Sequence, residues 1–174
     1  GSMSNQTTTR NLTVPKIVAI VGNVLMLLCV FLPYASVAKD SPYREYADEM
    51  VDGVRAGELA DPSMFKFATL YNKLKDQTSN GSEIAMIVMA LVAAIAITAI
   101  IALIFACVSK GIPALVFSII GFLLFLMLNW DFSDRGVVPT DDHSWGFGYY
   151  LFYAAALVAV VGAIWMIVSK RREQ

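Results

Sequence analysis

The chain has 174 residues, of which 57% are hydrophobic, and its formal net charge is −1. A soluble domain is usually about 45–50% apolar, so the excess indicates a membrane protein. The near-neutral charge gives no basic surplus and argues against nucleic acid as a partner. Gly1 and Ser2 precede Met3 and resemble residues left by an expression tag.

Four long apolar segments follow one another, at 17–38, 84–108, 112–130 and 149–168. Each has about 20 residues, which as a helix spans the ~30 Å hydrocarbon core of a bilayer. A helix satisfies its own backbone polar groups in lipid, so we predict four transmembrane helices. The predicted fold class is all-α: a polytopic membrane protein with a four-helix transmembrane bundle and a small helical extracytoplasmic cap.

The first apolar segment also resembles a signal peptide. Arg10 and Lys16 precede it, and Pro33 with the residues at 36–38 resembles a cleavage site. The apolar run is longer than the ~7–15 residues of a typical signal-peptide core. Its length therefore favours a retained membrane helix that Pro33 kinks or ends.

Charge predicts the orientation, because positive residues near helix ends select the cytoplasmic side. We predict a cytoplasmic tail at 1–16, a turn at 109–111 and a basic tail at 169–174. Extracytoplasmic loops are predicted at 39–83 and 131–148, and the predicted location is the plasma membrane. The inner segments carry six basic residues against one acid, Glu173. The basic residues are Arg10, Lys16, Lys110, Lys170, Arg171 and Arg172.

The loop at 39–83 is longer than a connector requires and is predicted to contain two amphipathic helices. Ser41-Pro42 and Asp61-Pro62 resemble two helix starts, each followed by apolar residues at i, i+3 and i+4 spacing. The apolar stripes form a candidate interaction surface. Its residues are Tyr43, Tyr46, Met50, Met64, Phe67 and Tyr71.

The second loop is short and acidic. Asp141, Asp142 and His143 are candidate metal ligands, because carboxylates suit hard divalent ions and histidine suits transition metals. The alternative is a solvated acidic loop, which this composition favours. Common hydrolase, zinc-protease and nucleotide-binding motifs are not found, so neither a catalytic residue nor a cofactor is predicted.

The apolar segments contain no acidic or basic residue away from their ends. Intramembrane charge usually marks ion pathways and proton relays, so a coupled transporter is disfavoured. Asn23, Thr98 and Ser118 are the main polar residues at depth, and Asn23 is predicted to hydrogen-bond between helices. Small residues on the last helix, Ala155, Ala159 and Ala163, favour close packing within the bundle.

Residues Val30 to Val37 contain the pattern FLP-aromatic-x-S-V. This pattern resembles one found in small bacterial four-helix membrane proteins of uncharacterised function. In those proteins a first helix ends in a similar sequence before an outer loop and three further helices. The resemblance implies residence in the bacterial inner membrane. It implies no activity and no functional residue.

The function predicted from these observations is that of a non-enzymatic membrane protein acting through its outer cap, as an accessory or interaction subunit. Its expected partners are the lipid bilayer and a membrane or envelope protein, or a second copy of the chain. One alternative is a small oligomeric channel or transporter. A second is a membrane-interface enzyme that uses the acidic loop.

Overall fold

The computed structural model describes residues 2–77 and 79–172, with side chains described from residue 12 to residue 171. It is 72% helical, in agreement with the predicted all-α class. Gly1 of the predicted N-terminal tail and residues 173–174 of the predicted C-terminal tail lie outside the described residues. In chain order the elements are α1 Ser2–Cys29, β1 Ala35–Val37, α2 Pro42–Glu45, β2 Met50–Val51, β3 Val54–Arg55, α3 Met64–Lys73, α4 Gly81–Cys107, α5 Gly111–Asp134, β4 His143–Trp145 and α6 Phe147–Arg172.

The four long helices form an antiparallel bundle. Helix α1 packs against α4 and α6, and α5 packs against the same two helices. The turn between α4 and α5 lies at one end of the bundle, here called the turn end, together with the start of α1 and the end of α6. The segments 30–77, 79–80 and 135–146 lie at the other end, here called the loop end.

All four helices are long and apolar enough to cross a membrane. The shortest apolar stretch, Leu12–Cys29, has 18 residues, or about 27 Å at 1.5 Å per residue. These four candidate spans indicate a multi-pass membrane protein, as predicted.

The first helix differs from its predicted bounds. It begins at Ser2, so the segment predicted as a tail continues the helix, and it ends at Cys29 rather than residue 38. The chain leaves helical geometry before Pro33, and the next residues form strand β1. The apolar character of 30–38 therefore reflects burial at the loop end and not an extension of the span.

Two helices were predicted in the first loop, and only the second forms as expected. Helix α3 begins after Ser63, whose side chain accepts a hydrogen bond from the Lys66 amide. The first prediction is wrong beyond the four-residue helix α2, because the chain then turns back as a hairpin of β2 and β3. Asp52 and Gly53 connect the strands with φ angles of 53° and 83°. Asp-Gly with positive φ is the favoured tight hairpin turn.

The helices meet through small residues along the contact between α1 and α6. A side chain at Gly22 would collide with the backbone of Ala159, and one at Gly162 would collide with the backbone of Ala19. Ala155, Ala159 and Ala163 are fully buried. The predicted small-residue packing thus lies inside the bundle.

Candidate functional site

The segments at the loop end form one connected layer, here called the loop layer (residues 30–77, 79–80 and 135–146). Strands β1 and β4 pair antiparallel, with Ala35 opposite Trp145 and Val37 opposite His143. The Tyr34 and Ala35 amides both donate to the carbonyl of Pro62, at 2.9 and 3.2 Å. The β1–β4 pairing joins the two loops by backbone hydrogen bonds between residues more than 100 positions apart.

A charged clamp holds the first loop together. The Arg44 guanidinium donates to both carboxylate oxygens of Asp61, at 2.7 and 2.8 Å, and to the carbonyl of Val37 at 2.8 Å. The Ser36 hydroxyl donates to the same carboxylate at 2.5 Å. Hydrogen bonding from Arg44 lowers the pKa of Asp61 below its ordinary value. The clamp fixes α2, strand β1 and the segment before α3 relative to one another.

A second ion pair lies beside the hairpin. The Lys66 ammonium donates to the Glu58 carboxylate at 2.7 Å and lowers the pKa of Glu58. The other oxygen of this carboxylate accepts from the Arg55 amide at 3.1 Å. Glu58 therefore ties strand β3 to helix α3.

The candidate metal ligands are not gathered around a common point. The His143 ring places Nε2 2.5 Å from the carbonyl of Leu59 and packs edge-on against Tyr43, with ring centroids 5.2 Å apart. Asp141 and Asp142 are exposed. Within residues 2–77 and 79–172, no group of three or more His, Cys, Asp or Glu residues is arranged to hold a metal ion. His143 instead connects the acidic loop to the first loop.

A buried aromatic and amide network lies where the loop layer meets the helices. The Tyr34 hydroxyl donates to Asn129 Oδ1 at 2.6 Å, and Asn129 Nδ2 donates to the Tyr153 hydroxyl at 3.2 Å. Burial raises the pKa of Tyr34, so its hydroxyl keeps the proton it donates. The Tyr34 ring also packs edge-on against five neighbouring rings. They belong to Phe67, Phe125, Phe132, Trp145 and Tyr149.

Sequence reasoning missed Asn129. The polar residues singled out at depth were Asn23, Thr98 and Ser118, and Asn129 was not among them. The usable signal was a carboxamide inside the third apolar segment, which needs a partner when it is buried.

Arg135, just after α5, links the loop layer to the helical bundle. Its guanidinium donates to Asp131 at 2.8 Å and to the Tyr71 hydroxyl at 2.9 Å. It also lies over the rings of Tyr71 and Phe132, 5.2 and 5.3 Å from their centroids. Helix α3 is thereby fastened to the end of α5.

Exposed apolar side chains lie on the hairpin and just before it, and they are here called the hairpin patch (Tyr46, Met50 and Val51). They are 50%, 62% and 49% exposed. Val54, the cross-strand partner of Val51, is only 1% exposed. Asp48, Glu49 and Asp52 lie beside the patch in the chain and are exposed. Arg55, opposite Met50 on the hairpin, is exposed as well, so three acids and one base border the apolar surface and its net charge is negative.

The six residues predicted as one interaction surface are divided between surface and core. Tyr46 and Met50 are exposed, and Tyr43 and Tyr71 are half-buried. Met64 and Phe67 are a correction, because both belong to the buried core and offer no surface. The bundle covers the apolar stripe of α3. The helical spacing of these apolar residues therefore reflects burial in the core and not a docking surface.

A half-open groove of about 390 Å³ lies between the hairpin turn and the start of α4. Asp52 and Lys75 provide charges at its lining, and Leu59, Leu70 and Leu74 provide apolar surface. Asp52, which follows the hairpin patch in the chain, also lines this groove. Together they give the loop layer both an exposed apolar surface and an adjoining recess.

Neither a protein-family model, nor a curated protein, nor a solved structure matches this chain.

Proposed function

We propose that the chain is a non-enzymatic membrane protein that binds a protein partner through the hairpin patch. The observation that carries this proposal is that Tyr46, Met50 and Val51 are all exposed within one short segment, at and just before a two-stranded hairpin. A group of exposed large apolar side chains outside a membrane span is costly in water and often marks an interaction site.

The support beneath the patch strengthens the proposal. The Glu58 bridge ties strand β3 to helix α3, while the Arg44–Asp61 clamp and the His143 contact with Leu59 fix the segments on either side of the hairpin. A surface held this way loses little conformational entropy when a partner binds, which raises affinity. A mere connector between two helices needs none of these contacts.

The charges around the patch indicate the chemistry of the partner. The acidic border of Asp48, Glu49 and Asp52 repels an anionic lipid surface, so insertion into lipid headgroups is disfavoured. A protein segment with an apolar centre and flanking Lys or Arg complements this surface. We infer a membrane or envelope protein as the partner, and the same patch on a second copy is disfavoured by its negative charge.

The bundle interior favours this proposal over transport through a single chain. The Ser118 hydroxyl lies 3.2 Å from Asn23 Oδ1, and Asn23 Nδ2 donates to the carbonyl of Ala19 at 3.0 Å. The Thr98 hydroxyl donates within its own helix. Within the described part of the chain, no buried side-chain nitrogen or oxygen lacks a partner. These groups are occupied in packing and do not line a polar path.

Orientation and location are part of the proposal. Lys16, Lys110, Lys170 and Arg171 lie at the turn end, which we place in the cytoplasm. The loop layer then faces the outside of the membrane, as the extracytoplasmic cap. The resemblance of residues 30–37 to small bacterial membrane proteins supports the bacterial inner membrane.

Site-directed photocrosslinking in native membranes tests the proposal. A photoreactive residue at Met50 is expected to give one dominant crosslinked protein, whereas the same residue at the exposed Lys39 is not. The double variant Met50→Ser and Val51→Ser should abolish recovery of that protein at unchanged expression. Recovery of the same amount of partner with the double variant would overturn the proposal. Crosslinking only to a second copy would replace it with self-association.

A further inference from the structure

A groove of about 300 Å³ opens at the turn end, between the start of α5 and the end of α6. The groove is lined by Lys110, Lys170 and Arg171 and by apolar residues that include Ile112 and Ile167. It has a basic rim and an apolar floor.

The three cations of the groove come from two separate parts of the chain and converge on one recess. Lys110 lies in the turn before α5, and Lys170 and Arg171 lie in the last turn of α6. No Asp or Glu of the described residues lines the groove, and none of the described ion pairs uses these cations. The recess therefore favours an anion.

The surroundings of the groove indicate an anion with a hydrocarbon tail. Ile112 is 61% exposed, and Val116 and Ile119 continue the exposed apolar face along α5. On α6, Ile164 and Val168 are exposed in the same way. In a membrane these faces contact acyl chains, so a molecule with its headgroup in the recess would lay its chains along them.

We propose that this groove binds the phosphate headgroup of an anionic phospholipid in the leaflet at the turn end. The ammonium groups and the guanidinium bind the phosphate, and the guanidinium can donate two parallel hydrogen bonds to its oxygens. The apolar residues beside the cations, Ile112 and Ile167, favour a ligand that carries hydrocarbon next to its phosphate. The site acts independently of the hairpin patch, which lies at the opposite end of the bundle.

Native mass spectrometry of the full chain in detergent, titrated with dioleoylphosphatidylglycerol or dioleoylphosphatidylcholine, tests this site. We expect one phosphatidylglycerol bound per chain, at least about tenfold more tightly than phosphatidylcholine. The variant with Lys110→Gln, Lys170→Gln and Arg171→Gln should lose this preference. All three side chains are exposed, so its helical circular dichroism should match that of the parent.

The matched control removes three exposed lysines from the loop end, with Lys39→Gln, Lys73→Gln and Lys75→Gln. It changes the net charge by the same amount and should keep the preference for phosphatidylglycerol. Equal loss in both triple variants would overturn the site, because it would show attraction by overall charge alone. Millimolar inorganic phosphate should not displace the lipid. Displacement would overturn a lipid as the occupant and indicate a free phosphate instead.

Discussion

The two ends of the bundle are packed by different means. Near the turn end the buried cluster consists of Ala19, Ala106, Ala114 and Ala163 with Met166. Near the loop end it contains aromatic rings and hydrogen-bonded polar groups, several of them supplied by the loop layer. Small residues bring helix backbones into contact without help from outside the bundle. The aromatic end contains residues from two loops, so a change that destabilises the loop layer should also destabilise this end of the bundle.

The largest expected effect tests the small-residue half. Gly162→Leu places a side chain against the backbone of Ala19, which cannot move aside as a flexible side chain would. We expect a loss of about 3 kcal/mol in the free energy of unfolding, measured as a fall in melting temperature in detergent. Ala154→Leu, at an exposed position of the same helix, is the control and should change little. Equal melting temperatures for both variants would contradict close packing at this contact.

The aromatic half is tested by Tyr34→Phe. The substitution keeps the ring contacts and removes the hydroxyl that donates to Asn129, leaving a buried carbonyl oxygen without its donor. We expect a loss of about 1–3 kcal/mol. Tyr150→Phe removes the hydroxyl of an exposed side chain on α6 and should be neutral. If both variants melt alike, the network contributes nothing measurable and the contrast between the two ends rests on packing alone.

A pH dependence should belong to the loop end. The pKa of Asp61 is lower in the folded state than its ordinary value of 3.8, so its stabilisation is present well above that pH and lost as the pH falls through the folded value. At pH 7, Asp61→Asn should lower the melting temperature, but by less than Tyr34→Phe lowers it. It should also lose less stability between pH 7 and pH 3. Glu58 titrates in the same direction, so part of the dependence remains. An unchanged acid response in Asp61→Asn, with Asp40→Asn as the control, would contradict the clamp.

The smallest expected effect is at the hairpin patch. Met50→Ser with Val51→Ser should change the free energy of unfolding by no more than about 0.5 kcal/mol, because both side chains are exposed. Val54→Ser, at a buried position of the same hairpin, should destabilise clearly. Thermal melting of the two variants compares the exposed and the buried positions directly. A large loss in the Met50 and Val51 double variant would mean that the patch packs within the protein and is no docking surface.

The transmembrane helices were predictable because lipid leaves a long apolar segment few alternatives to a helix. Asn23 was also assigned correctly to a contact between helices, since an amide at depth needs a partner. The hairpin was missed because Tyr43, Tyr46, Met50 and Val54 share helical spacing, which outweighed Asp52-Gly53. That dipeptide between short apolar pairs is itself a strong hairpin signal.

Other features were out of reach of local patterns. The pairing of β1 with β4 joins residues 35 and 145, and nothing in either three-residue strand specifies its partner. The Arg44–Asp61 clamp joins residues that are 17 positions apart across a hairpin. The candidate metal residues were close in sequence, but the register that places His143 opposite Val37 turns its ring towards Leu59. Tertiary pairing decided each of these positions.

The pairing of β1 with β4 also sets an order of assembly. Strand β1 follows the first helix, whereas β4 and the His143 that supports Leu59 are synthesised only after the third. The hairpin's full support therefore forms after the chain has crossed the membrane at least three times and turned to begin the fourth. A partner that binds the supported hairpin would ignore partly inserted chains and engage only those whose insertion is nearly complete.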